Sequence, residues 1–142
     1  MVRHCLVCLV LVAAAVPARA SWADSLFDEL SCDFGSVPHG QLASHPFRLV
    51  NRTKSTVHIS SVRVSCSCTS AQAVQDTVAP GQDTAILVQM DTRRFYGFRA
   101  ITVYVQFDQP AFDEVRLAVQ ANSRDDVAVL PDSFRSPEKY RL

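Results

Sequence analysis

The sequence predicts an all-β fold, an antiparallel sandwich of about seven strands, and three observations carry that prediction. Apolar residues recur at every second position in a succession of short windows. Polar turn signals separate those windows, among them "GSVPHG", "NRTKS", "VAPGQD" and "RRFYG". No window carries an apolar stripe at helical spacing with capping residues at its ends. The composition agrees: 48% hydrophobic and 20% charged residues, with seven prolines and four glycines in 142 residues, is that of one ordinary globular domain.

The chain opens on a segment of another kind. Arg3 supplies a positive n-region, Cys5 to Val16 an apolar h-region, and Ala18-Arg19-Ala20 a small-x-small cleavage site, so residues 1–20 read as a secretory signal peptide. The apolar run is too short for a permanent membrane span. Cys5 and Cys8 lack the small residues that a lipoprotein cleavage box needs before them. The expected location is therefore secreted or periplasmic, with a folded domain over residues 21–124.

Within that domain, Leu30, Cys32 and Phe34 alternate with Ser31 and Asp33 until Gly35 to Gly40 turns the chain. Phe47 and Leu49 alternate around Arg48, and Asn51 closes that run as a turn residue whose side chain bonds nearby backbone. Val57 and Ile59 share one parity, whereas Val62, Val64, Cys66 and Cys68 share the other. A bulge at Ser60-Ser61 resets the faces of this long strand. Pro80-Gly81 suits a type II turn, after which Ile86, Val88 and Met90 alternate. Ile101 to Phe107 and Val115 to Ala121 form the clearest hairpin. Short alternating strands with turns between them, over about a hundred residues, argue an immunoglobulin-like β-sandwich. Beyond Asn122 the pattern fades into a tail, residues 125–142. There "LPDSFRS" echoes "LSCDFGS" at an offset of one hundred residues, in the manner of an incomplete second repeat.

Charge excludes one class of partner. With Arg3 and Arg19 removed, the 14 basic residues become 12 against 14 acidic ones, which offers no field for polyanions, so no nucleic-acid partner is expected. Nor is there a Gly-x-Ser-x-Gly elbow, a paired-carboxylate motif or a phosphate loop. A hydrolase could draw only on scattered serines, His45 or His58, and Asp76 or Asp91, so no catalytic residue is assigned. Asn51-Arg52-Thr53 meets the N-glycosylation pattern. Phe95, Tyr96 and Phe98 around Gly97 offer an aromatic contact surface, with one or two of them covering the end of the sandwich.

The cysteines carry the remaining chemistry. Export leaves Cys32, Cys66 and Cys68, an odd number in an oxidising compartment. Residues two apart on a strand lie about 6.6 Å apart along its axis, so a direct Cys66–Cys68 bridge requires a break in the strand. A Cys-x-Cys on a strand also lacks the helix dipole that lowers a thiolate's pKa. His39, His45 and His58 stand at no chelating interval from the pair, so no metal or cofactor is assigned.

In this order, "FGSVPHG", "FRLVN", "VHISSVRVSCSCT", "VAPGQ", "MDT" and "YGFRAITVYVQ" resemble the bacterial domain-of-unknown-function family 1573, from Cys32 to about Asn122. The resemblance implies an immunoglobulin-type sandwich, similar to the major-sperm-protein and pilus-chaperone class, and export. The family's motif residues fall on Phe34 and Gly35, on Asn51, on Cys66, Cys68 and Thr69, on Pro80 and Gly81, and on Gly97. Ser67 stands where the family has Gly.

Topology adds a disulfide expectation. If the first three strands run up, down and up, Cys32 and Cys66 face the core from opposite sheets at one pole. A Cys32–Cys66 bridge is then expected, with Cys68 as the free thiol. The functional expectation is a non-enzymatic, exported interaction or structural module that binds a protein partner or neighbouring domain. The alternative is a thiol-redox or metal-binding protein using the Cys-x-Cys motif.

Overall fold

The structure, a computed structural model, describes residues 21–125. The signal peptide expected at 1–20 and all but the first residue of the expected tail lie outside the described residues. Among the described residues eight strands form two packed sheets: β1 (Ser31–Pro38), β2 (Leu42–Val50), β3 (Val57–Val64), β4 (Thr69–Ala73), β5 (Thr77–Val78), β6 (Asp83–Asp91), β7 (Gly97–Gln109) and β8 (Asp113–Arg124). The larger sheet has the order β1-β8-β7-β3-β5 and the smaller the order β2-β6-β4. This is the expected immunoglobulin-like sandwich, with one pair that departs from antiparallel order: β1 runs parallel to β8. The alternation read from the sequence sets the core. Phe47, Leu49, Ile86, Val88 and Met90 of the smaller sheet meet Val57, Val103, Val105, Phe107 and Leu117 of the larger, all fully buried. Each such side chain contributes about 1.5–3 kcal/mol by leaving water.

The bulge at Ser60-Ser61 is present, where the β3–β7 register shifts between His58 and Ile59 and again between Ile59 and Ser61. β1 continues past the expected turn at Gly35. It breaks register between Asp33 and Ser36 instead, with Gly35 at φ 65° and its N–H donating to the Asp33 carboxylate at 2.7 Å. The segment before β1 closes one end of the sandwich with buried Ala23, Leu26 and Phe27. Arg52 donates to the Ser25 carbonyl at 2.7 Å and to Asp28 at 2.7 Å, and Arg48 reaches Asp28 at 3.3 Å, pinning this segment to β2.

Asn51 organises that end and is 0% exposed. Its amide N–H groups donate to the Ser55 and Val78 carbonyls, each at 2.8 Å, and its Oδ1 accepts from the Thr53 N–H at 3.0 Å and the Thr53 hydroxyl at 2.7 Å. Its backbone N–H donates to Gln82 O at 2.9 Å, and its carbonyl accepts from Gly81 N at 2.8 Å. The expectation of a side chain bonding nearby backbone is met. In the folded domain the amide is inaccessible, so the sequon it heads offers no glycan site.

The disulfide expectation is corrected by the strand order. β1 and β3 lie in the same sheet with β8 and β7 between them, about three strand spacings or roughly 14 Å apart. Cys32 on β1 therefore cannot reach Cys66. Cys66 is joined to Cys68, and Cys32 is the free cysteine among the described residues.

Three outcomes follow from this architecture. Asn51→Ala strands two carbonyls and the donors of Thr53, and should cost about 3 kcal/mol in urea denaturation; an unchanged midpoint contradicts the hub. Peptide mapping without reduction should link Cys66 to Cys68, with Cys32 alkylated once the chain is unfolded, and Cys32→Ser should perturb stability less than Cys68→Ser. The pH dependence follows from the carboxylates. Asp28 is held below the ordinary range by its hydrogen bond from Arg52, Asp33 by that from Gln120, and Asp91 by that from Arg93. A depressed folded pKa stabilises above the unfolded value and ceases to do so as pH falls through the folded one. Asp24, raised by burial and by Asp113, acts in the opposite sense. The urea midpoint should hold at neutral pH and fall below about pH 4, the ordinary carboxylate range; a midpoint that rises on acidification would give Asp24 the larger share.

Candidate functional site

The end of the sandwich opposite Asn51 gathers the residues that carry chemistry. β3 ends at Val64, and Ser65 stays tied to β7: its N–H donates to Thr102 O at 3.0 Å, and its hydroxyl accepts from Thr102 N at 2.9 Å. The chain then leaves the larger sheet through a turn over Cys66, Ser67 and Cys68 and enters β4 of the smaller. Thr69 N donates to Cys66 O at 3.2 Å, and Asp91 N to Cys68 O at 2.8 Å. The strand break that a direct bridge requires is thus present, and the Cα atoms of the bonded cysteines are 5.3 Å apart. Cys68 is 4% exposed, Cys66 half-buried and Ser67 exposed. Cys68 N–H lies 3.2 Å from the Cys66 sulfur, and the Thr69 hydroxyl 3.6 Å from the Cys68 sulfur.

A short 3-10 helix, Thr92–Arg94, abuts the turn. Asp91 caps it by accepting from Arg93 N at 3.0 Å. Arg94 donates to the Ser67 carbonyl at 3.1 Å, bringing a positive charge to the residue between the two sulfurs. Thr92 is fully buried, and its hydroxyl contacts Pro38 O at 3.0 Å and Gln41 O at 2.7 Å while accepting from Gln41 N at 2.9 Å. Between Leu42, Ser67, Cys68 and Arg94 lies a cleft of about 150 Å³.

Beyond the helix the three expected aromatics divide. Phe95 is buried beneath Arg99, whose guanidinium lies 5.6 Å from the ring centre, and covers the end of the core. Tyr96 and Phe98 are each 64% exposed, on either side of Gly97 at φ 75°. Tyr96 stacks on His39 at 3.7 Å between ring centres. Leu42, 56% exposed, belongs to the same end, opposite Asp91 in the β2–β6 register. The sequence reading missed Leu42 and did not connect Arg94 with the cysteine turn. Leu42 had a signal, since it has the parity opposite to Ala43, Phe47 and Leu49 and so is an apolar residue on the outward face.

The remaining candidates are dispersed. His39 contacts the buried Ser123 hydroxyl at 3.2 Å, His45 pairs with Glu29, and His58 pairs with Asp108 at 2.6 Å. Asp76 accepts from Thr77, and Asp91 is held by Arg93. Among the described residues no three His, Cys, Asp or Glu side chains gather as a metal site. Cys32 sits on β1, and burial pushes its thiol pKa up, with Glu29 and Asp33 adding to the shift. A larger, shallow depression of about 360 Å³ on the outer face is floored by Ala100 and Ala118. Two of its polar groups, Asp33 and Gln120, bond to one another at 2.7 Å.

Comparison with solved structures finds the same architecture at low identity. A protein of unknown function from Porphyromonas gingivalis superposes with a TM-score of 0.61 at 16% identity, over 66% of this chain and 44% of that one. The ASH/PapD-like domain 7 of human CEP192 gives 0.57 at 13%, over 70% and 84%. SSP-19 of Caenorhabditis elegans, an MSP-domain protein like family member, gives 0.51 at 14%, over 68% and 98%. This chain thus spans less than half the length of the Porphyromonas protein, and at these identities the likeness shows the fold. No curated protein matches the sequence. The motif residues Asn51, Cys66, Cys68, Thr69, Pro80, Gly81 and Gly97 stand at the turns and crossings that define this sandwich. A family model described as "Protein of unknown function (DUF1573)" matches residues 26–122, and the chain belongs to that family.

Proposed function

We propose that this chain is a non-enzymatic, exported interaction module that binds a protein partner through the end of the sandwich bearing Tyr96, Phe98 and Leu42. The observation that carries the reading is the exposure of Tyr96 and Phe98, at 64% each, beside the buried Phe95. Large aromatic rings left in water on a held turn are the usual anchors of a protein interface, because they bury much area and lose few rotamers on binding. The partner is expected to meet an aromatic and apolar surface with Arg94 and Arg99 near it.

Cleavage at the expected site is compatible with the packing of the described residues. Ala23 and Leu26 are fully buried, and the Ser21 hydroxyl donates to Asp113 at 2.5 Å. Cleavage after Ala20 removes none of these contacts, whereas cleavage a few residues later would take away core. The described residues contain no helix long and apolar enough to cross a membrane.

Intact mass of the exported protein is expected to correspond to a start at Ser21; a product retaining Met1 to Ala20 in the membrane fraction rejects the soluble form. For the binding surface, a photo-crosslinking residue at Leu42 in the exporting host should capture a discrete partner. The Tyr96→Ser/Phe98→Ser variant should lower that yield about tenfold or more, since hot-spot aromatics each contribute about 2 kcal/mol. Its melting temperature should stay within a few degrees of the parent, as for other surface changes. Equal capture by both proteins would move the interface elsewhere.

A further inference from the structure

We propose that the Cys66–Cys68 disulfide is a thiol-exchange site: the thiolate of an incoming thiol attacks the half-buried Cys66 sulfur, and Cys68 is the leaving group. The bond has the placing of a reactive bridge, not of a staple. It spans one intervening residue, and so short a loop restrains the unfolded chain little. The turn is held without it, by Thr69 N to Cys66 O at 3.2 Å, Asp91 N to Cys68 O at 2.8 Å and Arg94 to Ser67 O at 3.1 Å. Opening the bridge therefore leaves the crossing from β3 to β4 in place.

The surroundings suit both steps of an exchange. Of the two sulfur residues, Cys66 is half-buried and Cys68 is buried, so an external thiol meets Cys66 first. Thr69 Oγ1, 3.6 Å from the Cys68 sulfur, is placed to donate to the departing thiolate, and Arg94 on the Ser67 carbonyl adds positive charge to the same turn. Cys68 N–H, 3.2 Å from the Cys66 sulfur, does the same for Cys66 once it is released. Cys32, three strand spacings away, cannot compete as an internal nucleophile.

The balance is that of a two-electron exchange. The first thiolate forms a mixed disulfide with Cys66 as the Cys66–Cys68 bond breaks. Cys68 takes the electron pair and a proton from solvent. A second thiolate attacks the mixed disulfide, leaving as the oxidised disulfide of the incoming thiol, and Cys66 ends as a thiol. The proposal is independent of the aromatic surface, and its readout does not need a protein partner.

The test uses protein purified without reductant, exposed to reduced glutathione at neutral pH, quenched by acid and alkylation, and mapped by mass spectrometry. The glutathione adduct is expected on Cys66 in at least tenfold excess over Cys68, with the fold retained throughout by circular dichroism. The variants have no bridge to open and are exposed instead to oxidised glutathione, which supplies the disulfide: in Cys68→Ser the Cys66 thiolate should take one glutathionyl group and release one reduced glutathione, and in Cys66→Ser Cys68 should do so at least tenfold more slowly. Should either variant fail to fold, the adduct ratio in the unmodified chain decides. Arg94→Gln should slow exchange several-fold, with the pH dependence still set by the ionisation of glutathione, whereas Tyr96→Ser/Phe98→Ser should leave the rate unchanged. Three free thiols in the untreated protein, equal adducts on the two cysteines, or reduction only after denaturant is added would each overturn the proposal.

Discussion

The fold depends on how the chain is held each time it passes from one sheet to the other, and Asn51 is where that constraint is most concentrated. β2 leaves the smaller sheet for β3 at this residue, and β5 leaves the larger sheet for β6 at Pro80-Gly81 beside it. One buried amide reaches both crossings, with its side chain on Ser55 and Val78 and its backbone on Gly81 and Gln82. A polar group so fully withdrawn from water is tolerated only when its donors and acceptors are bonded, and that requirement fixes the geometry of everything it touches. Aspartate would lack the two donors, and serine would lack the reach.

Thr92 plays the corresponding part at the opposite end. It ties the β1–β2 crossing, through Pro38 and Gln41, to the β6–β7 crossing in which it stands. The β3–β4 crossing is attached to the same structure through Asp91 and Arg94, which hold the carbonyls of Cys68 and Ser67. The cysteine turn is therefore part of a hydrogen-bonded assembly whose other arm leads within four residues to Tyr96. Both ends leave apolar side chains in water, but they differ in what covers the core: Ala23, Leu26 and Phe27 close the Asn51 end, where Phe112 is the exposed ring, whereas the Thr92 end presents Leu42, Tyr96 and Phe98 together.

Much of this was legible because period-two alternation records a sheet facing a core. The inward residues of β6, β7 and β8 were read correctly, and the parity change across Ser60-Ser61 became a register shift in the expected place. β4 escaped because Thr69-Ser70-Ala71-Gln72-Ala73 alternates small residues with small polar ones and offers almost no apolar contrast. The two-residue β5 is too short to carry a period. The cysteine pairing failed for another reason. Strand order is a property of the assembled sheets, and the parallel β1–β8 pair, which puts β1 and β3 in one sheet, leaves no trace in the local pattern of β1. Continuing the parity of Val62 and Val64 through Cys68 likewise extended a strand past the turn at which the chain changes sheets.

The surface charges have a secondary part in this arrangement, and their placement shows where they matter. Exposed ion pairs such as Arg63 with Glu114 contribute little in water. The Asp91 carboxylate is different because its partners lie within three residues along the chain: it caps the Thr92–Arg94 helix and pairs with Arg93 and Arg94, while its backbone N–H holds Cys68. Neutralising it would loosen the helix cap and the side chain of Arg94 together, although neither touches the core. An electrostatic contact that is weak as a contribution to stability therefore sets the position of Arg94, the cation that bonds the turn between the two cysteines. That contact belongs to the positioning of the candidate site, and the crossings at Asn51 and Thr92 belong to the stability of the sandwich.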